Sequence, residues 1–219
     1  MRKRLFSCLM AMVIAFSMMA TPAFATEMPS DEDELRQTLE AVFSFLNDQQ
    51  IPLHASARFD YEIPVGENVV SVTVENQPVE EISTLGIGMG GPHDIELDHS
   101  YVYTLTINDF YSGSGTIVYS MTYNVWATGE PHTVPYRLTV KNTSIDVTVP
   151  SGCTLISSSS SHDPDLYQTA LIVGYGSAKF KTAFLGVTKT FSMELSICSY
   201  ERETDGTGYI TTQYIYDTE

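Results

Sequence analysis

The chain has 219 residues, with 11 Lys plus Arg against 27 Asp plus Glu, a formal net charge of −16. Cations this few and this scattered argue against a nucleic-acid partner, which needs clustered Lys and Arg to neutralise phosphates. An apolar content of 43%, with 13 Tyr and 10 Phe, excludes a disordered acidic chain, because it supplies enough burial to offset chain entropy.

The first 25 residues read as a secretory signal peptide. Arg2, Lys3 and Arg4 give a cationic start, residues 5–20 (LFSCLMAMVIAFSMMA) an apolar run, and Ala23-Phe24-Ala25 a small-x-small site for cleavage after Ala25. A membrane anchor is the alternative, but the run is short for a bilayer core, which takes about 20 apolar residues. Cys8 lies inside the apolar run and not after it, which is unlike a lipoprotein acylation site. The expected product is secreted and extracellular, without a membrane association after cleavage. It would keep 8 basic residues against all 27 acidic ones, a net charge of −19.

Residues 26–56 form an N-terminal segment with one amphipathic helix. Within 29–49, Leu35, Leu39, Val42, Phe43 and Leu46 fall on one face of a 3.6-residue repeat. Ser30 suits the N-cap, and Asp31, Glu32 and Asp33 suit the positive end of the helix dipole.

From residue 57 to 219 the period changes to 2. Phe59, Tyr61 and Ile63 alternate, then Val70, Val72 and Val74, then Tyr101 to Ile107, then Ile117 to Val125. Further runs at 132–140, 143–149, 153–158, 166–174, 178–187, 190–200 and 208–216 bring the expectation to about a dozen short strands. Turn residues separate them at 112–115 (SGSG), 127–131 (ATGEP) and 204–208 (TDGTG). No crossover helices are available for parallel pairing. The expected fold is therefore mainly β, an antiparallel β-sandwich or a barrel-like closure, with one N-terminal amphipathic α-helix. The polar stretch near 157–165 is a possible sub-boundary, read here as a long loop inside one domain.

The mature chain holds two cysteines, Cys153 and Cys198, and export makes a disulfide between them the expectation. Bridged, it would close a loop of about 45 residues and contribute roughly 4 kcal/mol. The other reading is two buried thiols.

Catalytic signatures are weak. The segment 93–99 (HDIELDH) places Asp94, Glu96 and Asp98 on one face of a strand, a pattern that fits calcium only with further oxygen ligands from loops. His93 and His99 stand too far apart on an extended strand for one zinc. The glycines of 86–91 (GIGMGG) lack the Lys-Ser/Thr ending of a phosphate loop, and no G-x-S-x-G elbow is present. No catalytic residue and no cofactor are assigned, with calcium as the one metal in view.

Tyrosine abundance leans toward recognition, since the ring is apolar and its tip polar. Trp126, Tyr123 and Tyr136 are the candidate ligand-binding residues. The resulting expectation is a secreted, non-catalytic binding or interaction module for an extracellular protein or carbohydrate. An extracellular polymer hydrolase using His93, Asp94, Asp98 and His99 is the rival reading, and a structural surface component the third.

Overall fold

The computed structural model describes residues 31–54, 56–79, 99–126, 137–164, 170–183, 186–201 and 208–219. From Glu32 onward the chain forms one compact unit. It opens with helix α1 (Asp31–Gln49), whose Leu35, Leu39, Val42, Phe43 and Leu46 are all within 1% of complete burial, as their spacing predicts. The helix stops at Gln50, which takes a positive φ of 46°.

Ten strands follow among the described residues: β1 (Pro52–Leu53), β2 (Ala57–Val65), β3 (Asn68–Pro78), β4 (His99–Tyr111), β5 (Ser114–Trp126), β6 (Arg137–Thr148), β7 (Thr154–His162), β8 (Leu171–Lys181), β9 (Thr188–Glu201) and β10 (Gly208–Thr218). They form two five-stranded antiparallel sheets, ordered β2-β3-β4-β5-β6 and β1-β10-β9-β8-β7. From β2 to β6 and from β7 to β10 successive strands are neighbours, while β1 pairs with the last strand, β10; the chain changes sheet between β1 and β2 and again between β6 and β7. Among the described residues no ladder joins the two sheets, so the barrel-like closure is not what forms.

Three expectations about strand boundaries are corrected. The break expected between 140 and 143 is a bulge within β6, where Lys141 is the extra residue between the pairs of Thr122 with Asn142 and of Tyr123 with Val140. The break expected between 174 and 178 lies inside β8. The polar stretch starting at Ser157 is strand β7, paired residue by residue with β8 from Ser157 to His162. Serine there stands on a strand with little to bury, so composition alone read it as loop.

A single core joins both sheets and the helix. Along β8 the sheets approach closely. A Cβ built on Gly174 would stand 2.2 Å from the Tyr119 hydroxyl and 2.5 Å from the Met121 methyl, and one on Gly176 would stand 2.9 Å from the Tyr119 ring and 3.0 Å from Ile145. Only glycine admits that spacing. At mid-core, Phe110 of β4 meets Phe180 of β8 and Phe191 of β9, each with ring centroids 6.1 Å apart. Elsewhere the helix bridges β10 and β2: Phe43 stacks on Tyr214 at 5.7 Å, and Phe45 meets Tyr61 edge-on at 5.2 Å. Glu34 ties the first turns of α1 to the β4-β5 hairpin by accepting from the Ser112 amide at 2.8 Å. Ser112 and Gly113 make that hairpin turn with positive φ at both positions, as the SGSG segment anticipates.

The expected disulfide is absent, and both thiols are free. The register gives the reason. Cys198 pairs opposite Leu171 at one end of β8, whereas Cys153 immediately precedes Thr154, which pairs opposite Lys181 at the other end. Ten strand positions at about 3.3 Å each separate those levels, several times the span of roughly 7 Å beyond which a bridge cannot close.

Candidate functional site

The outward face of the β7-β10 sheet carries a groove. Side chains alternate across a strand, so residues of one parity on each strand face the same way, and the register aligns them into rows. One row runs Ser159, Ser177, Ser192, Asp217 across four strands. The next runs Ser161, Tyr175, Glu194, Ile215. Together they line a shallow groove of about 410 Å³, with Gly176, Met193 and Tyr216 forming its floor.

The groove mixes three kinds of group. Hydroxyls come from the serines, two of which, Ser159 and Ser177, bond to each other at 2.9 Å. Carboxylates come from Glu194, which accepts from the Ser196 hydroxyl at 3.3 Å, and from the exposed Asp217. Apolar surface comes from the Tyr175 ring and from Ile215, which is 50% exposed. Tyr175 is oriented by donating its hydroxyl to Asp163 at 3.1 Å, just past the end of β7. Its phenol is held above the ordinary value, first by desolvation and then by the Asp163 acceptor and the nearby Glu194 charge. Among the described residues, no Lys or Arg lines the groove.

The residues expected to bind ligand are placed differently. Trp126 is at the end of β5, 41% exposed, with its indole N–H donating to the Thr139 hydroxyl at 3.0 Å. Tyr123 is a core residue: it is fully buried, and its hydroxyl donates to Asn76 Oδ1 at 3.0 Å. Three positions apart on one strand, the two point to opposite faces, so the structure does not bring them together. Tyr136 lies outside the described residues, as do His93, Asp94, Glu96 and Asp98; His99 opens β4 opposite Val125. Among the described residues, no three His, Cys, Asp or Glu side chains gather as a metal site.

Sequence reasoning passed over the groove because it searched for dense polar clusters. The signal was nevertheless present as polar-apolar alternation. Tyr175, Ser177 and Lys179 alternate with Gly174, Gly176 and Ala178, and Thr190, Ser192 and Glu194 alternate with Phe191, Met193 and Leu195. Comparison with known proteins adds nothing to this geometry, since no family model, no curated protein and no solved structure matches the chain.

Proposed function

We propose that this chain is an exported, non-catalytic binding module, a β-sandwich that holds a neutral extracellular oligosaccharide on the outward face of its β7-β10 sheet. The observation that carries the reading is the groove itself: a half-buried Tyr175 ring and the exposed Ile215 set among serine hydroxyls and two carboxylates. Sugars present hydroxyls that both donate and accept, and C–H faces that pack on flat apolar side chains, so each kind of group in the groove has a counterpart. Glu194 and Asp217 accept from sugar hydroxyls and oppose an anionic polymer, as does the net charge of −16. The cationic, apolar and small-x-small segments of the first 25 residues support export.

Hydrolysis is the reading to set against it. Glu194 and Asp217 are diagonal neighbours on β9 and β10, with backbones about 7–8 Å apart, and glycoside hydrolysis canonically uses a pair of carboxyl groups. Both stand on an open face, however, whereas that chemistry uses an acid kept protonated by a dry setting.

Calorimetric titration of residues 26–219 with neutral oligosaccharides tests the proposal, with Tyr175→Ala and Glu194→Gln as groove variants. Binding by the wild type that weakens about tenfold or more in each variant is the expected result, equivalent to about 1.4 kcal/mol. Binding unchanged in both variants, or no binding across the set, overturns the site. Release of reducing ends that stops in Glu194→Gln overturns the non-catalytic reading.

A further inference from the structure

We infer that β7 is the edge through which this chain pairs with a second copy of itself, joining two β7-β10 sheets into one continuous sheet about a twofold axis at Ser159.

Four strands lie at sheet edges, and three of them are blunted. On β2, the exposed Arg58, Asp60 and Glu62 alternate and are followed by Pro64, and Arg58 is held by Asp60 at 3.0 Å and Glu75 at 2.7 Å. On β6, the bulge at Lys141 breaks the regular ladder. On the other edge of the β7 sheet, β1 covers Ile210 and Thr211 of β10, and the Asn47 side chain bonds both backbone groups of Tyr214. Charges, proline, bulges and covering elements are the usual devices that keep sheet edges from pairing. The fourth edge, β7, has a bulge at Ile156, between the pairs of Leu155 with Phe180 and of Ser157 with Lys179, but past it the segment 157–161 (SSSSS) contains no charge and no proline and pairs regularly with β8 alone among the described residues.

The ladder also shows which backbone groups β7 leaves available. The Asp163 amide donates to the Val173 carbonyl at 3.0 Å, which places Asp163 opposite Val173 at a hydrogen-bonded position of the ladder. In an antiparallel ladder, bonded pairs recur every second residue, which makes Ser161 with Tyr175 and Ser159 with Ser177 the bonded pairs. The N–H and C=O of Ser158 and Ser160 therefore point away from β8. The Ser160 hydroxyl reaches the Thr143 carbonyl at 2.9 Å from the inner face, so β6 lies beneath β7 and does not extend the sheet beside it.

Two features select a second copy as the occupant. The five serines of 157–161 read the same in both directions about Ser159, so antiparallel self-pairing sets Ser opposite Ser throughout and pairs Ser158 with Ser160 of the other copy. That repeats between copies the hydroxyl bond that Ser159 makes with Ser177 within one. A chain of net charge −16 also repels its own kind, and this charge-free strand is where two copies meet without opposing carboxylates. The contact is isologous and closes at two. Partners in a ladder point to one face, so the two grooves lie side by side, a bivalent arrangement for a polymer. The pairing does not depend on what the groove binds.

Sedimentation of residues 26–219 over a roughly hundredfold concentration range reads the pairing by mass action; the core drawn from Leu35 onward lies wholly within this span. The wild-type mass rises from one chain toward two. Ser158→Pro removes only an outward amide, which edge strands tolerate, and stays at one chain with its circular dichroism and melting intact. In a Cys153→Ser, Cys198→Ser background, Ser159→Cys cross-links between copies under mild oxidation, whereas Ser177→Cys, one strand further in, does not. A wild type that remains one chain at every concentration overturns the inference. So does a folded Ser158→Pro that associates as the wild type does. Should Ser158→Pro unfold, equal cross-linking from positions 159 and 177 overturns it and selective cross-linking from 159 upholds it.

Discussion

Asn47 acts as a strand that is not there. Its side-chain amide donates to the Tyr214 carbonyl at 2.9 Å and accepts from the Tyr214 amide at 2.9 Å, the two bonds a neighbouring β residue would make. β1 is two residues long and reaches only Thr211 and Ile210 of β10, so the helix supplies the pairing further along that edge. Phe43, one turn earlier, stacks on the Tyr214 ring, which fixes the helix against the strand.

Asn47→Ala removes both bonds and leaves a part-buried amide and carbonyl without partners. The expected loss is about 1–3 kcal/mol, which for a domain of this size lowers Tm by roughly 2–4 °C per kcal/mol. Asp48→Ala, at the exposed neighbouring position, should stay within about 0.5 kcal/mol. Urea unfolding of the two variants measures the contrast.

Gly174 and Tyr119 form a second testable pair. Tyr119 is 1% exposed, and its hydroxyl is buried without a hydrogen-bond partner among the described residues. Tyr119→Phe removes an unpaired polar atom and should leave stability unchanged or raise it. Gly174→Ala sets a Cβ against that hydroxyl and against the Met121 methyl, with an expected cost of about 1–3 kcal/mol for overpacking. In the double variant the closest contact is gone, so the alanine costs less than it does alone. A double-mutant cycle by urea unfolding reads this as a coupling of about 0.5 kcal/mol or more.

The helix was legible because five apolar residues repeat at helical spacing and one buried stripe answers them. The strands were legible wherever large apolar residues alternate, as at Tyr101, Tyr103, Leu105 and Ile107, all within 1% of complete burial. Legibility failed where residues act through the partner sheet. Gly174 and Gly176 interrupt the apolar pattern of β8 and suggest a break, yet they are glycines because β5 and β6 press against them. The groove was hidden for a related reason: Ser159, Ser177, Ser192 and Asp217 come from four separate strands, and only the pairing register sets them in a row.

The thiols give a prediction from register alone. With Cys153 and Cys198 level with opposite ends of β8, oxidation cannot link them in the folded chain. Folded protein treated with a mild oxidant and then denatured should release no intramolecular bridge on mass analysis. Its Tm should not change with added reductant. An intramolecular disulfide retaining native circular dichroism would refute the register.

Alkaline pH should unfold the domain through its core tyrosines. Tyr103, Tyr119, Tyr123 and Tyr214 all have phenols held above the ordinary value of 10.0, with burial the first cause in each, and Tyr214 is pushed up to about 12. The Tyr103 hydroxyl bonds that of Tyr214, while the Tyr123 hydroxyl bonds Asn76, which eases its rise only in part. In the folded state these groups keep their protons; in the unfolded chain they release them near pH 10. Their contribution is therefore fully present below pH 10 and is lost as pH rises from there toward the folded values. Each phenol that stays protonated steepens the loss by about 1.4 kcal/mol per pH unit. Urea midpoints measured from about pH 9 to pH 11 should be flat at first and then fall with a slope of more than one phenol. Tyr123→Phe should lower stability at neutral pH, because the Asn76 carbonyl loses its donor, yet it should flatten the alkaline slope by one phenol. A wild-type slope of one phenol or less would mean that these hydroxyls reach solvent, and the joined core of helix and two sheets would not hold.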